Sequence, residues 1–309
     1  YFPACSSQPW QVDGVVTKMI GDGFERQKLI PVENKTVVTE PREGCRNNRW
    51  EPVLTRNGLT FTPLPDVEWQ VYPFKSPLLK LNDIFPEGIQ VPSMYLGKQI
   101  LHLPTVKTHG HAVMTGSVKN SFGGLLREVR HYAHKYMHEV LVDLLYMQQE
   151  LHPAVFTVMD GTIAGDGAGP RTMIPRVKNL LLAATDSVAI DAIAAKLMGF
   201  DPLSIPFLRM AHERGLGVAD PRDIELVGDD VSLENFGFKT RRSLVIWGDQ
   251  MIRKGFLRPL ERVLLHSPLM VWAPAASNVY HDAFWYPTIG RSRIRSFMRT
   301  EWGQLFRKY

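Results

Sequence analysis

Apolar residues at Val12, Val15, Val16, Met19 and Ile20 recur at three- and four-residue intervals, which predicts an amphipathic helix over 8–24. The β-branched run at 35–39 predicts a short strand. A second helix is expected over 50–58, with Gly58 as its stop. Val67, Trp69 and Val71 alternate with polar neighbours, as in a half-buried strand over 67–74. A proline-rich connection over 85–92 then leads to a strand at 99–103. The longest helical pattern runs over 128–150, through Met137, Val140, Leu141, Leu144 and Leu145, and Pro153 closes it. The runs 154–159 and 179–184 are continuously apolar, which predicts strands buried on both faces. Asp186 reads as the N-cap of a helix ending at Met198, with Gly199 just beyond. A helix over 204–214 and a last strand over 224–227 complete the pattern.

Strands and helices alternate, so the expected fold is α/β: a largely parallel sheet flanked by helices. Such sheets bind ligands beyond the carboxyl ends of their strands. Three strand ends carry unusual chemistry: His102 to His109, Asp160-Gly161 and Thr185-Asp186. The rhythm breaks after residue 236. The division expected is an α/β domain over 1–236, whose N-terminal strand is expected to be missing because the chain starts mid-phrase, and a basic, aromatic-rich helical extension over 237–309.

Composition narrows the class. With 44% hydrophobic and 22% charged residues the chain is that of an ordinary globular protein, and no run of 18 apolar residues predicts a spanning helix. The first residues carry neither the basic nor the apolar region of a signal peptide. Two cysteines, Cys5 and Cys45, support neither a disulfide framework nor a four-thiolate cluster, so no iron–sulfur cluster is expected from this chain's own cysteines. A reducing, cytoplasmic compartment fits. The net charge of +5 is unevenly spread, because 239–309 holds thirteen lysines and arginines against four acids. The remainder is mildly acidic.

The densest chemistry follows the strand at 99–103. Lys107, His109, His111 and Lys119 fall within thirteen residues, interrupted by glycines. Buried lysines stabilise anions or act as bases, and neutral imidazole shuttles protons or binds metals. Gly116 and Gly123 allow backbone N–H groups to approach an oxyanion. A second constellation, Asp160 to Arg171, holds Gly167 and Gly169. It lacks the Lys-Ser/Thr of a P-loop and reads as an anion- or metal-facing loop, although a plain glycine-rich crossover has the same composition. His134 and His138 share a helix face, but Lys135 stands where an HExxH motif needs Glu, so an exposed face fits equally. Asp191, amid apolar residues, needs a partner, for which a lysine of the first cluster is the candidate. The candidate metal ligands are His109, His111 and Asp160.

Pro104-Thr-Val-Lys-Thr-His109, Thr115-Gly-Ser-Val-Lys-Asn120 with Phe122-Gly123, Asp160-Gly161, Gly167-Ala-Gly-Pro170, Asp186-Ser-Val-Ala-Ile-Asp191 and Gly215-Leu-Gly217 occur in this order. As a set they resemble the domain-of-unknown-function family 362, over about 8–230 and most closely over 98–228. The resemblance implies no particular reaction. Members described as iron–sulfur proteins carry a separate ferredoxin-like module, and no such cysteine run is present here. The loop 109–124 is similar in flavour to one in the lactate racemase group, which holds a nickel-pincer cofactor and acts on a hydroxy acid. That similarity implies proton or hydride transfer on a small anion and establishes no cofactor.

The expectation is an enzyme, with isomerase- or oxidoreductase-like chemistry, that binds a small anionic or carbonyl-bearing metabolite. Lys107 and Lys119 hold the anion, His109 and His134 move protons, Asn120 donates hydrogen bonds, and Asp160 and Asp191 orient the lysines or a metal. Gly116, Gly123, Gly167, Gly169 and Arg171 contact the bound group. The alternative is a non-catalytic redox or scaffold subunit that docks on a membrane or a partner through 237–309. That tail also fits simple packing on the main domain. Nucleic acid comes last as a partner, since no recognised module is present.

Overall fold

In the computed structural model, residues 1–36, 39–253, 255–257, 259 and 272–309 are described. Before the main sheet come α1 (Pro9–Gly21), α2 (Pro41–Asn47), α3 (Trp50–Arg56) and the single-turn α4 (Leu81–Ile84). Two small strand pairs accompany them: β1 (Val32–Glu33) parallel to β2 (Thr62–Pro63), and β3 (Trp69–Val71) antiparallel to β4 (Gln90–Pro92). Val37 and Val38 of the strand expected at 35–39 lie outside the described residues, and the flanking Thr36 and Thr39 bridge each other.

The main sheet has five strands: β5 (Ile100–His102), β6 (Thr105–His109), β7 (Val113–Thr115), β8 (Val155–Ala168) and β9 (Thr172–Ala184). The long β8 is its spine. β5 and then β6 run parallel along one edge of β8, with Ile100 opposite Val155 and Thr105 opposite Asp160. Pro104 interrupts that edge, since proline has no amide to give to the ladder; its carbonyl accepts the Asp160 amide at 2.9 Å. β9 returns antiparallel along the other edge of β8, and β7 folds back on β6.

Helices α5 (Ser117–Leu125), α6 (Met137–Leu151), α7 (Ser187–Met198) and α8 (Pro206–Glu213) follow in chain order. Their apolar faces, with Val106, Met159 and Leu182 from the sheet, form the large core. α7 is buried nearly all round, which explains its almost uninterrupted apolar sequence. Asp186 caps it by accepting the amides of Val188 and Ala189 at 2.7 and 2.9 Å, and Gly199 ends it at φ 99°.

The opposite face of the sheet carries a smaller core of Ala4, Ile163, Met173, Phe297 and Phe306. The last two come from the C-terminal extension, which comprises α9 (Leu244–Arg253), α10 (Trp272–Asn278), a π-helical stretch Val279–Gly290, α11 (Arg291–Phe297) and α12 (Glu301–Lys308). The chain ends meet there: Tyr1 stacks on Phe306 with centroids 3.9 Å apart, and the Tyr309 hydroxyl donates to Asp13 at 3.1 Å. The fold is α/β, with parallel pairings at the centre of the sheet, flanking helices and a helical C-terminal region.

Four expectations change. The glycine-rich stretch after Asp160 is strand rather than loop, because β8 continues to Ala168 before turning into β9. Its glycines make room: a methyl group at Gly161 would press on Leu180 and Val106, and one at Gly165 on Met173 and Lys107. The runs at 154–159 and 179–184 are not buried on both faces, since Phe156 is 41% and Leu181 62% exposed. Residues 224–227 form no strand, and Val227 is 92% exposed. Finally, the helix expected over 128–150 begins as a 3-10 segment, Glu128–Tyr136, before α6.

Candidate functional site

Strand alternation decides what β6 delivers. Val106 enters the large core, while Lys107 and His109 point to the other side of the strand. Both are buried. Lys107 Nζ donates to the Cys5 carbonyl at 2.5 Å. Burial pulls its pKa below the usual lysine range, opposed by Cys5 and by Glu33 of β1.

His109 sits where β6 ends. The chain turns over its ring, so that Nδ1 accepts the amides of His111 and Ala112 at 3.1 and 3.2 Å. A neutral imidazole that accepts at Nδ1 carries its proton on Nε2. Burial holds its pKa well below the usual value, and the charges of Lys119, His111, His134 and Lys107 push it in the same direction. The rings make a chain: His109 to His111 at 5.9 Å, His111 to His134 at 5.4 Å and His134 to Phe122 at 5.5 Å between centroids. Lys119 Nζ lies 5.2 Å from the centre of the Phe122 ring. Lys107, His109, His111, Lys119 and His134 are therefore one cluster, drawn from β6, the following loop, α5 and the 3-10 segment.

The remaining candidates stand apart. Asp191 lies beneath the N-terminus of α5 and accepts the amides of Ser117 and Val118 at 2.6 and 3.1 Å. Its partner is a helix end rather than a lysine. Burial nevertheless raises its pKa to about 7, against those two bonds. Gly116 belongs to the same arrangement, since any Cβ there would collide with the Asp191 carboxylate. Asp160, opposite Thr105, is under α1, where Oδ1 accepts the Thr162 amide at 2.7 Å and burial raises its pKa. No lysine contributes to the shift of either carboxyl.

Asn120 serves a different group. Its Nδ2 donates to His102 Nδ1 at 3.1 Å, and His102 Nε2 donates to Gln148 at 2.5 Å. Burial lowers the pKa of His102 to about 4, so it is a neutral structural linker. Gly123 is inside α5, its carbonyl taken by Asn34 at 2.7 Å. Gly167 and Gly169 shape the β8–β9 turn: the Gly167 carbonyl accepts from Thr108 at 2.9 Å and from the Arg241 amide at 3.1 Å, and a Cβ at Gly169 would strike the Thr108 carbonyl. Arg171 approaches His281 and Asp282 of the extension, at 3.4 and 4.0 Å. Each of these residues has a packing or hydrogen-bonding role of its own. Among the described residues no three His, Cys, Asp or Glu side chains are placed to hold a metal ion, so the candidate ligands His109, His111 and Asp160 are not brought together as one set.

Two cluster neighbours went unforeseen. Phe122 was visible as part of a motif but without a role, and Glu33 comes from a two-residue strand far away in sequence with no local signal. Two open clefts lie elsewhere, one of about 480 Å³ between α2–α3 and the C-terminal helices, the other of about 450 Å³ lined by Lys196, Asp201, Asp220 and Arg222. In the second, Arg222 pairs with Asp220 and Asp201 caps Leu203.

Fold and site together define an α/β protein with a lysine- and histidine-rich cluster where a parallel strand ends. The chain belongs to the family described as Domain of unknown function (DUF362), which matches residues 3–196. It is also similar to a thylakoid-associated protein of Synechocystis sp., 29% identical over 120 residues. That alignment covers 38% of this chain and 37% of the relative's length. No solved structure matches. Among the described residues no helix is long and apolar enough to cross a membrane.

Proposed function

We propose that the chain is an enzyme that binds a small anionic or carbonyl-bearing metabolite at the cluster of Lys107, His109, Lys119 and His134. The supporting observation is the state of His109. Its Nδ1 is committed to two backbone amides, so Nε2–H is a donor of fixed orientation in a surround that is cationic enough to help keep the ring neutral. An oxyanion or a polarised carbonyl beside Nε2 accepts that hydrogen bond, with lysines nearby to favour a negative oxygen. In this reading Lys119 supplies the balancing charge, His109 donates to the oxygen, and His134 moves a proton at the neighbouring atom. Asp160, Asp191 and Asn120 support the fold around the site and take no part in the chemistry. The reaction class is proton transfer next to a carbonyl.

Titration calorimetry with lactate, pyruvate and inorganic phosphate tests this. Wild-type protein binds at least one of the three, and Lys119→Ala weakens that binding by roughly tenfold or more, the loss of one charge-assisted contact, while the unfolding midpoint stays in place. Equal affinities in the two proteins, or no binding by wild type, would overturn the assignment.

A peripheral position at a membrane surface, reached through 237–309, accompanies this reading. It is supported by the exposure of Trp247 and Phe256 in the extension and by the thylakoid association in the relative's name.

A further inference from the structure

We infer that the chain lies on an anionic lipid surface with one particular ridge against it: the outward side of the π-helical stretch Val279–Gly290, followed by Arg291, Arg295 and Arg299. The inference rests on the peripheral reading above and gives it a defined surface and lipid chemistry.

The stretch has two unlike sides. His281, Trp285 and Gly290 are buried and hold it to the domain, with Trp285 packed 5.2 Å from Phe2. Val279 and Phe284 are 67% and 57% exposed, and Tyr286 and Ile289 are exposed beside them. The single acid of the stretch, Asp282, faces Arg171 at 4.0 Å. Directly beyond it Arg291, Arg295 and Arg299 are exposed, with the Arg291 guanidinium 6.0 Å from the Tyr286 ring.

An apolar strip on a helix anchored by its other side, continued by cations, matches a bilayer interface, where aromatic and aliphatic groups enter the headgroup boundary and arginines meet lipid phosphates. A protein groove is the weaker fit. The ridge offers a row of apolar side chains and exposed guanidinium groups, and the extension's thirteen basic against four acidic residues in 239–309 favour an extended anionic surface.

Co-sedimentation of the full chain with phosphatidylglycerol–phosphatidylcholine vesicles, and with phosphatidylcholine vesicles alone, tests this. Wild type sediments with the anionic vesicles, little with the neutral ones, and is released by salt. The double variant Val279→Glu/Phe284→Glu loses the binding. The triple variant Arg291→Gln/Arg295→Gln/Arg299→Gln weakens it by on the order of 100-fold, since each basic residue near such a surface contributes about fivefold. All five residues are exposed, so circular dichroism and the unfolding midpoint stay those of wild type. No sedimentation of wild type overturns the peripheral reading and this surface together. Sedimentation that survives either variant leaves the peripheral reading standing and overturns the ridge. Variant-sensitive self-association in light scattering, without vesicle binding, assigns the ridge to a protein partner and overturns the lipid.

Discussion

Gly116 and Asp191 separate a packing role from a ligand role by their coupling. In Asp191→Ala the amides of Ser117 and Val118 lose their acceptor inside the core. Each buried orphan amide costs about 1–3 kcal/mol, so the expected loss of stability for the two is roughly 2–6 kcal/mol. In Gly116→Ala the new methyl group meets the Asp191 carboxylate. Overpacking of that kind costs about 1–3 kcal/mol, and displacement of the cap adds part of the first loss, for a total of about 3 kcal/mol. With Asp191 already removed the methyl group has room, so the double variant should be scarcely less stable than Asp191→Ala alone. The coupling energy then approaches the full cost of Gly116→Ala. Urea denaturation of the four proteins measures it, as shifts in midpoint at constant slope. Additive losses would refute the packing account. An unchanged midpoint in Gly116→Ala, together with lost anion binding, would return the glycine to the ligand site.

The remaining expectations concern protons and the sheet's second face. The Asp191 carboxyl, pushed up to about 7, holds its proton more tightly in the native state than in the unfolded chain, so its contribution is complete below pH 4 and is lost as pH rises through 7. The stability advantage of wild type over Asp191→Asn should shrink between pH 4 and pH 8, and an advantage that grows with pH contradicts the assignment. His102, lowered to about 4, contributes stability that is present above pH 6.5 and disappears as pH falls through 4. Its ring proton resonances should stay at neutral-imidazole positions down to pH 5; a midpoint near 6.5 would show the Asn120–His102–Gln148 chain to be wrong. Phe306 is buried against the sheet from the far end of the chain, so Phe306→Ala should lower stability by about 3–5 kcal/mol in thermal or urea unfolding. An unaffected midpoint would make the extension an appendage.

Much of the architecture can be read locally. The helix at α1, the Asp186 cap, the Gly199 stop and the apolar length of α7 are all present as patterns within a dozen residues. Those features depend on spacing along one element, where side-chain periodicity and capping chemistry act. The stretch after Asp160 misleads for a physical reason. Gly161, Gly165 and Gly169 have a loop's composition, yet they sit in a hairpin because Leu180, Val106, Met173 and the Thr108 carbonyl occupy the space a side chain would need. Those neighbours come from two other strands, β6 and β9.

The candidate site divides the same way. Lys107, His109, His111, Lys119 and His134 are close in sequence, and short connections keep them close in space. Asp191 and Asp160 are distant in sequence, and their partners were open: any buried carboxylate needs donors, and backbone amides serve as well as ammonium groups.

By itself the chain's order of residues determined most of the helices and the sheet strands at 99–103, 154–159 and 179–184, the α/β class, the kinship of its motifs and the existence of a cationic, imidazole-bearing segment, because these follow from period, capping and composition. Tertiary structure alone decided which buried carboxyls face helix ends, which glycines are there to make room, and that residues from 297 onward complete a core begun at Ala4. Desolvation and close packing are set by neighbours remote along the chain, so no local window contains them.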